Sequence, residues 1–345
     1  MNPFAYSRAQ DVGGALQALL ATEGKFIAGG TNLLDLMKEN VMRPAQLVDI
    51  NRLPLDTIEP SPDGGLRLGA LARNAATAYH PLVREQYPLL STAILAGASP
   101  QIRNMASNGG NLLQRTRCYY FYDRGTPCNK RNPGEGCSAI GGLARQHAIL
   151  GASEHCIATH PSDMCVALAA LDATVHVASP RGDRAIPIAD FHRLPGERPD
   201  MDTTLANDEL ILSITLPPSA GFRGHSVYMK LRERLSYAFA LVSVAAMLEI
   251  DGGTIRAARL ALGGVAHKPW RDPRAEALLA GQPVGEEAFA RAADALLQGA
   301  TPQGVGVGSN AFKIPLARRA IVRALHQAAQ GTVTNFGDNV RAGED

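Results

Sequence analysis

The hydrophobic residues of the first fifty positions follow two different spacings. Apolar residues three and four positions apart cover residues 12–20 and 33–38, and a short apolar run covers residues 47–50. The first spacing is typical of a helix with one buried face, whereas a short apolar run favours a buried strand. The sequence therefore predicts a helix, a loop, a second helix and a strand, which together form a small α/β unit.

The pattern beyond residue 60 predicts a mixture of strands and helices. Residues 66–68 have the pattern of a strand, and a long apolar stretch over residues 82–96 predicts one helix. The other predicted elements are a helix that opens at Pro161-Ser162-Asp163, strands at 173–177, 210–216, 225–231, 240–250 and 255–262, and helices near Arg274, Glu286 and Leu316. The pair Pro217-Pro218 ends one of these strands and marks a domain boundary.

The composition indicates a folded, loop-rich protein with more than one domain. Of 345 residues, 46% are hydrophobic and 19% are charged, and 34 Gly and 22 Pro are present. The formal net charge of +2 gives no field that would favour nucleic acid or an anionic membrane. No apolar stretch is long enough for a membrane span, and the first residues lack a secretory signal. From its own sequence the chain is expected in the cytoplasm.

A glycine pair precedes the second predicted helix, in the segment Ala28-Gly29-Gly30-Thr31-Asn32. Glycine lets the backbone adopt positive φ and approach a ligand closely. The N–H groups at the start of the helix would face the same point, a geometry that suits a pyrophosphate. Glycine pairs also mark ordinary tight turns, so this segment by itself leaves both interpretations open.

A second glycine pair lies in Asn108-Gly109-Gly110-Asn111-Leu112, after the polar run Gln101-Ile102-Arg103-Asn104. Two such turns could hold one diphosphate from both sides. Neither turn matches the G-x-G-x-x-G fingerprint or the G-x-x-x-x-G-K-[ST] phosphate loop. The sequence therefore disfavours a Rossmann dinucleotide site and a nucleoside triphosphatase, and it requires a different cofactor-binding fold.

Residues 114–156 break the hydrophobic pattern and contain four of the five cysteines, Cys118, Cys128, Cys137 and Cys156. A loop of this length inside a compact domain needs something internal to order it. Four thiolates can complete the ligand set of a [4Fe-4S] cluster, and the basic residues near the first two cysteines would favour thiolates. The same ligand set also suits zinc, and the spacing matches neither zinc ribbons nor ferredoxins.

Other candidate ligands near this loop are less favoured. His147, His155 and His160 could replace a cysteine, although a histidine in a loop is usually a solvated polar residue. Cys165 lies in a predicted apolar helix and is typical of a core residue. Four cysteines in one segment are too few and too clustered for a disulfide framework.

Three segments resemble the flavin-binding motifs of the xanthine and carbon monoxide dehydrogenase flavoprotein family. They are Phe26-Ile27-Ala28-Gly29-Gly30-Thr31-Asn32-Leu33-Leu34, Gln101-Ile102-Arg103-Asn104 and Gly109-Gly110-Asn111-Leu112. The resemblance extends from residue 1 to about residue 330 and includes His160-Pro161-Ser162-Asp163 and Lys230-Leu231-Arg232-Glu233-Arg234. It implies the FAD-binding medium subunit of such an enzyme.

The fold that this resemblance implies is of the α+β class. An FAD-binding region of the PCMH type, similar to vanillyl-alcohol oxidase, would precede a C-terminal domain with a three-stranded antiparallel sheet and helices. The expected FAD-binding domain covers residues 1–220, with subdomains 1–55 and 56–220 and a cysteine-rich loop at 114–156. The C-terminal domain would cover residues 224–330, and a polar tail would cover residues 331–345.

The resemblance also implies roles for individual residues. Residues 26–34 would bind the pyrophosphate of FAD, and Ser107, Gly110 and Asn111 would close on it. Asp163 would contact the ribose or adenine side, and Lys230 would lie near the isoalloxazine. Ser107-Asn108 departs from the Thr-Ile that is commoner in the family before the second glycine pair. Without the resemblance, Asp163 could simply begin a helix capped by Ser162, and Lys230 could be a solvated strand residue.

Most members of the family lack a cysteine-rich insertion. Its presence resembles the subset formed by 4-hydroxybenzoyl-CoA reductase and the bacterial periplasmic aldehyde oxidoreductases, and Pro127-Cys128-Asn129-Lys130-Arg131 most resembles the aldehyde oxidoreductase subunit. The four cysteines would then hold a [4Fe-4S] cluster. Molybdopterin and [2Fe-2S] centres would lie on a large and a small partner subunit of a heterotrimer, where an aldehyde and water give a carboxylic acid. Electrons would pass from the [2Fe-2S] centres through FAD to an external acceptor.

Several alternatives stay open at this point. The chain could serve a related molybdenum hydroxylase such as xanthine dehydrogenase or 4-hydroxybenzoyl-CoA reductase, or it could be a self-sufficient flavin oxidase. A third alternative is a zinc-stabilised interaction module that binds no flavin. A partner with an export signal would carry the chain to the periplasm, and the cytoplasm is the alternative location.

Overall fold

The computed structural model describes residues 1–21 and 24–332. Its strands form three sheets that follow one another along the chain, within residues 5–49, 58–216 and 226–263. We call the corresponding parts the first unit, the middle unit and the C-terminal unit. The domain boundaries proposed at residues 55 and 220 fall between these sheets. Of the polar tail, only Gly331 and Thr332 belong to the described residues.

The first unit is a three-stranded parallel sheet with two helices. Its elements are β1 (Ala5–Arg8), α1 (Val12–Leu20), β2 (Gly24–Ile27), α2 (Leu33–Lys38) and β3 (Gln46–Asp49). β3 is the central strand and pairs in parallel with β1 and β2. The predicted helices and the last strand are confirmed. β1 and β2 were not predicted, because their residues are mostly exposed or half-buried and form no apolar run.

The middle unit combines a five-stranded antiparallel sheet, in the order β4-β5-β8-β6-β7, with helices. Its elements are β4 (Ile58–Pro60), β5 (Leu66–Gly69), α3 (Asn74–Tyr79), α4 (Pro81–Gln86), α5 (Pro88–Ala96), α6 (Pro100–Met105), α7 (Asn108–Leu112), α8 (Tyr119–Tyr122), α9 (Asp163–Ala170), β6 (Thr174–Ala178), β7 (Arg184–Pro187), α10 (Ile188–Phe191) and β8 (Leu210–Leu216). Ser162 caps α9, where its Oγ accepts a hydrogen bond from the Cys165 N–H at 3.0 Å. The predicted start of this helix is confirmed.

Two local predictions for the middle unit were wrong. The single helix expected over residues 82–96 is two helices, α4 and α5, because Pro88 has no N–H and restricts the residue before it. Tyr87 accordingly leaves the helical region, with φ −131° and ψ 54°. The second glycine turn is the short helix α7, which Ser107 caps by accepting a hydrogen bond from the Gly110 N–H at 3.2 Å.

The C-terminal unit has the predicted three-stranded antiparallel sheet, in the order β11-β10-β9. Its elements are β9 (Ser226–Leu231), β10 (Val242–Asp251), β11 (Thr254–Gly263), α11 (Pro273–Ala277), α12 (Glu286–Leu296) and α13 (Lys313–Gln330). β10 is buried on both faces: Val244 and Leu248 pack among the unit's own helices, while Ala245 and Met247 pack against the middle unit. The α+β fold class is confirmed.

The cysteine-rich loop, residues 114–156, contacts all three units. Phe121 and Cys128 pack on Leu36 of the first unit. The Ala144 N–H donates to the Gly308 carbonyl of the C-terminal unit at 2.8 Å. The loop is therefore held by tertiary contacts, since α8 is its only helix among the described residues. Across those residues, no helix has the length and apolar character that a membrane crossing needs.

Candidate functional site

A cavity of about 530 Å³ lies between the first unit and the middle unit, a size that is usual for a cofactor pocket. The two glycine segments both contribute to its lining. The residues nominated from the sequence that line it are Phe26, Ile27, Ala28, Gly29, Gly30, Thr31, Asn32, Leu33, Ser107 and Gly110. The fold thus brings both glycine segments to one cavity.

The glycines of the first segment are required by close contacts. A β-carbon on Gly29 would lie 1.9 Å from the Met105 carbonyl oxygen, at the end of α6. Gly30 has φ +71°, and a β-carbon there would lie 2.8 Å from Leu34 Cδ1. Because Met105 leads directly into Ser107, the missing side chain at Gly29 lets the two glycine segments meet.

The cavity offers hydrogen-bond donors for an anion. Asn32 Oδ1 accepts from the Arg115 N–H at 2.9 Å, but its Nδ2 is buried with no partner among the described residues. A buried donor without an acceptor costs about 1 to 3 kcal/mol. The segment that leads into α2 also lines this cavity, although the Leu34 N–H in the first turn already donates to the Gly30 carbonyl at 3.0 Å. These features fit the pyrophosphate of a dinucleotide.

Asn108, the departure from the family motif, faces the interior and not the cavity. It is fully buried, and its Nδ2 donates to Thr77 Oγ1 at 2.9 Å and to the Gly69 carbonyl at 3.2 Å. The neighbouring cavity lining comes from Ser107, Gly109 and Gly110. Asn108 therefore belongs to an internal hydrogen-bond network, and other residues form this part of the cavity lining.

Four nominated residues lie outside the lining of this cavity: Leu34, Asn111, Asp163 and Lys230. Leu34 packs beneath Gly30. Asn111 has its amide in the internal network, where its Nδ2 donates to Asn74 Oδ1 at 2.7 Å and its Oδ1 accepts from Ser162 Oγ at 2.6 Å. Asn111 thus braces the second glycine segment from behind.

Asp163 and Lys230 form a buried ion pair with each other. Lys230 Nζ lies 2.8 Å from Asp163 Oδ2, and Tyr228 donates from its hydroxyl to Asp163 Oδ1 at 2.6 Å. Lys230 also donates to the Ala96 carbonyl at 3.0 Å. The sequence analysis placed the two residues at different parts of FAD, whereas the structure places them side by side. Asp163 lines a second, much smaller cavity of about 20 Å³, together with Cys118, His147 and His160.

One wall of the large cavity was missed by the sequence analysis. It is formed by residues 198–211 of the middle unit, including Asp200 and Asp202, and by Lys25 and Arg115. Arg115 Nε donates to Asp202 Oδ2 at 2.7 Å, and Lys130 pairs with the same carboxylate. Burial alone would raise the pKa of Asp202, but these two cations hold it well below its usual range. No motif marks this wall, because most of it is the loop between α10 and β8.

The four loop cysteines are gathered in one region and are all free thiols. Cys128 and Cys137 form an antiparallel backbone bridge, and Cys137 hydrogen-bonds to Cys156. Cys118 lies near enough to Cys128 and Cys137 for charge on them to raise its pKa, although burial is the larger cause and brings that pKa to about 12. The Cys137–Cys156 hydrogen bond lowers the pKa of Cys137 and raises that of Cys156.

The spacing of these sulfurs bears on the kind of metal centre. In the part of the chain that the structure describes, no three of the four sulfurs lie within 4.8 Å of one another; the group that meets this distance is His160, Cys165 and His192. A single zinc ion with sulfurs at about 2.3 Å needs them about 3.8 Å apart. The arrangement is therefore wider than a mononuclear Cys₄ site.

The three candidate histidines have different surroundings. His147 lies against the first of the four cysteines, with its Nε2 3.1 Å from Cys118 Sγ. His155 is partly exposed beside Glu154. His160 packs on His192, with ring centroids 4.2 Å apart, and burial lowers the pKa of both rings so that they stay neutral. Cys165 is fully buried, as expected of a core residue.

Known proteins match this chain over nearly its whole length. Residues 2–219 match the FAD binding domain in molybdopterin dehydrogenase, and residues 226–328 match the CO dehydrogenase flavoprotein C-terminal domain. The aldehyde oxidoreductase FAD-binding subunit PaoB of Escherichia coli (strain K12) is 51% identical over 330 residues, 95% of this chain and 99% of that protein. A putative xanthine dehydrogenase FAD-binding subunit, XdhB, of the same organism is 26% identical over 94% of this chain and 95% of its own.

Solved structures show the same fold. Carbon monoxide dehydrogenase from Hydrogenophaga pseudoflava superimposes with a TM-score of 0.74 at 26% identity, over 96% of this chain and 99% of that one. Quinoline 2-oxidoreductase from Pseudomonas putida 86 gives a TM-score of 0.73 at 26% identity, over 95% and 98% of the two chains. With its glycine-lined cavity and these matches, the chain belongs to the xanthine and carbon monoxide dehydrogenase family of FAD-binding medium subunits and is part of an oxidoreductase.

Proposed function

We propose that this chain is the FAD- and [4Fe-4S]-containing electron-transfer subunit of a molybdenum-dependent aldehyde oxidoreductase. The observation that carries the proposal is the gathering of four free cysteines in a loop that contacts the wall of the FAD cavity. Aldehyde is favoured over purine as the substrate class, because identity is 51% to an aldehyde oxidoreductase subunit and 26% to a putative xanthine dehydrogenase subunit.

The chain's own residues would hold FAD by its pyrophosphate. Residues 26–34 would bind the pyrophosphate, with Asn32 Nδ2 donating to a phosphate oxygen, and Ser107 and Gly110 would close on it from the second glycine segment. Asp163 and Lys230, which form an ion pair, would reach the cofactor at one place from outside the lining of this cavity. Asn111 would support the second glycine segment and Leu34 the first. When bound, FAD supplies the redox chemistry, and the protein supplies position and electrostatics.

The cysteine loop fits a cluster better than a zinc ion. Cys118, Cys128, Cys137 and Cys156 would each bind one corner iron of a cubane. The separation of their sulfurs is too wide for one tetrahedral ion. Thiols must lose their protons to bind metal; the Cys137 hydrogen bond and burial raise the pKa of Cys156, and the charge of Lys130 acts against this rise.

Two partner subunits complete the proposed enzyme. A large subunit would carry molybdopterin, where the aldehyde and water become a carboxylic acid with release of two electrons and two protons. A small subunit would carry [2Fe-2S] centres that pass the electrons to FAD, and FAD would deliver them to an external acceptor. The assembly would be a heterotrimer, and this chain contributes no catalytic side chain to the oxidation.

The proposed location follows from the aldehyde oxidoreductase assignment. A partner with an export signal would carry the folded chain into the periplasm. Retention in the cytoplasm is the alternative, and fractionation of cells that express all three subunits distinguishes the two.

The test is an anaerobic visible spectrum of the purified complex, with iron, acid-labile sulfide, zinc and flavin assayed in the same sample. We expect flavin bands with a broad iron-sulfur shoulder, and about four irons in this chain beyond those of the partner subunits. An aldehyde should bleach the flavin in the complex, whereas the chain separated from its partners should not respond.

Three results would each contradict part of the proposal. Zinc in place of iron in this chain would contradict the proposed [4Fe-4S] cluster, and a colourless chain would contradict both proposed cofactors. Aldehyde oxidation by the chain without partners would make it a self-sufficient flavin oxidase.

A further inference from the structure

We propose that His147 donates a hydrogen bond from Nε2 to the Cys118 sulfur and thereby raises the reduction potential of the [4Fe-4S] cluster. This inference rests on the proposed function, because it requires Cys118 to be a cluster ligand. It assigns to His147 a role that is distinct from ligation.

The geometry places one ring nitrogen of His147 on the sulfur. Nε2 lies 3.1 Å from Cys118 Sγ, and the residue is 2% exposed. Nδ1 is also buried and has no partner among the described residues. Cys118 Sγ is therefore the polar group that the ring meets, and the small cavity beside them, of about 20 Å³, has room for about one water.

The backbone of His147 is held from the C-terminal unit. Its carbonyl accepts hydrogen bonds from Lys313 Nζ at 2.8 Å and Asn310 Nδ2 at 3.0 Å, and both of these residues are fully buried. Its N–H donates to the Ala144 carbonyl at 2.8 Å. These three bonds fix the ring's position from outside the set of four cysteines.

The side chain is confined by aromatic neighbours. The rings of Tyr119 and Tyr120 lie 6.2 Å from the imidazole, at different tilts. With the backbone anchored and these two rings beside it, the imidazole keeps its direction toward Cys118. Because the donor is already held in place, the protein needs little rearrangement when the cluster changes its charge.

The chemistry decides the direction of the effect. A metal-bound thiolate has no proton and can only accept, so the ring must carry its proton on Nε2 and donate it to the sulfur. Hydrogen bonds to charged acceptors are stronger than neutral ones. Reduction adds negative charge to the cluster and its sulfurs, so this bond stabilises the reduced state more and the potential rises.

The test is a redox titration of the cluster, followed by electron paramagnetic resonance, in the holo-complex. His147→Phe keeps a ring of similar size without a donor, and His147→Gln keeps an N–H donor. We expect a more negative midpoint potential for His147→Phe at unchanged iron and sulfide content, and a potential near that of the wild type for His147→Gln. His155→Gln is the matched control, since His155 lies in the same loop and is partly exposed.

The outcomes separate this inference from the proposed function. A wild-type complex without iron in this chain would contradict the proposed function, because there would be no [4Fe-4S] cluster. Equal potentials for the wild type and His147→Phe, with the cluster present in both, would overturn only the role of His147. Loss of iron from His147→Phe, His147→Leu and His147→Gln alike would overturn it too, because His147 would then be needed to build the centre.

Discussion

Gly29 shows how one missing side chain joins two segments that lie far apart in the sequence. Its α-carbon contacts the Met105 carbonyl so closely that no β-carbon fits. Arg73 supports the same junction, since its Nη1 donates to the Met105 carbonyl at 2.7 Å and its Nη2 donates to Asn51 Oδ1 at 3.0 Å. The cavity between the glycine segments depends on this contact.

Gly29→Ala should weaken the binding of FAD. The new β-carbon would push the first glycine segment away from Met105, and we expect at least a tenfold weaker FAD affinity, which is about 1.4 kcal/mol. The ratio of flavin to protein after gel filtration measures the effect. Gly13→Ala is the matched control, because a β-carbon in α1 would meet only Asp11 Oδ1, at 3.4 Å. Equal flavin content in both variants would contradict this prediction.

The cysteines divide into two groups by environment. Cys128 belongs to the loop and lies beside Cys137, whereas Cys165 is fully buried in α9 within the core of the middle unit. Only the first group should matter for metal.

Cys128→Ser should remove most of the iron, since a serine oxygen is a poorer ligand for iron-sulfur clusters than a thiolate. Cys165→Ala should keep the iron and lose at most about 1 to 2 kcal/mol of stability, because it deletes one buried sulfur. Iron and sulfide assays on the two purified variants measure the difference. A Cys165→Ala protein with less iron than Cys128→Ser would show that the two groups were assigned wrongly.

At the scale of elements, Asp49 ties the edge strand β1 to the central strand β3. Its carboxylate accepts from Arg8 Nε at 2.9 Å and from the Asn51 N–H at 2.9 Å, and it also binds the Tyr6 hydroxyl. Burial alone would raise the pKa of Asp49, but the hydrogen bonds from Tyr6, Asn51 and Arg8 lower it to about 2.

This lowered pKa predicts how stability depends on acid. The pKa of Asp49 is about 3.9 in the unfolded chain and lower in the folded one, so its stabilising contribution is present above about pH 4 and is lost as the pH falls towards 2. Melting temperatures between pH 2 and pH 7 should fall less steeply at the acid end for Asp49→Asn, which carries no titrating group. Parallel curves for both proteins would rule out this role of Asp49.

For the whole molecule, Lys130 connects the cysteine loop with the FAD cavity. Its side chain is 1% exposed; it pairs with Asp202 and donates to the Pro199 carbonyl at 2.7 Å. Asp202 belongs to the cavity wall, while Lys130 follows Cys128 by two positions. This ion pair, with its buried lysine, therefore links the cysteine loop to the wall of the large cavity.

Lys130→Met should weaken both sites together. Removing one partner of a fully buried pair costs about 3 kcal/mol, and the cost should be smaller here because the Asp202 side chain is 27% exposed. We expect lower flavin content and lower iron content in the same protein. Arg318→Met is the control, because its pair with Asp294 is exposed and joins α13 to α12 far from both sites. Chemical denaturation with flavin and iron assays tests this, and a loss of iron with full flavin retention would contradict the connection.

Local patterns were enough to predict much of this protein. The helices α1, α2, α9 and α13 have apolar spacing or caps that belong to a few neighbouring residues, and the central strand of the C-terminal sheet contains a largely apolar run. The glycine segments were visible because glycine is needed wherever the backbone approaches closely. The break at Pro88 was also predictable, because proline restricts the residue directly before it. The apolar run over residues 82–96 led instead to the prediction of one helix.

Other features depend on residues that are distant in the sequence and adjacent only after packing. The cavity wall at residues 198–211 carries no motif, the Asp163–Lys230 pair spans 67 positions, and the His147–Cys118 contact spans 29. The hydrophobic spacing and the turn residues each describe a single segment, so they do not show which distant residues meet. The sequence by itself thus determined many of the elements, the two glycine segments and the cysteine set, whereas the packing of three sheets decided which polar groups share a buried site, because burial and distance arise only there.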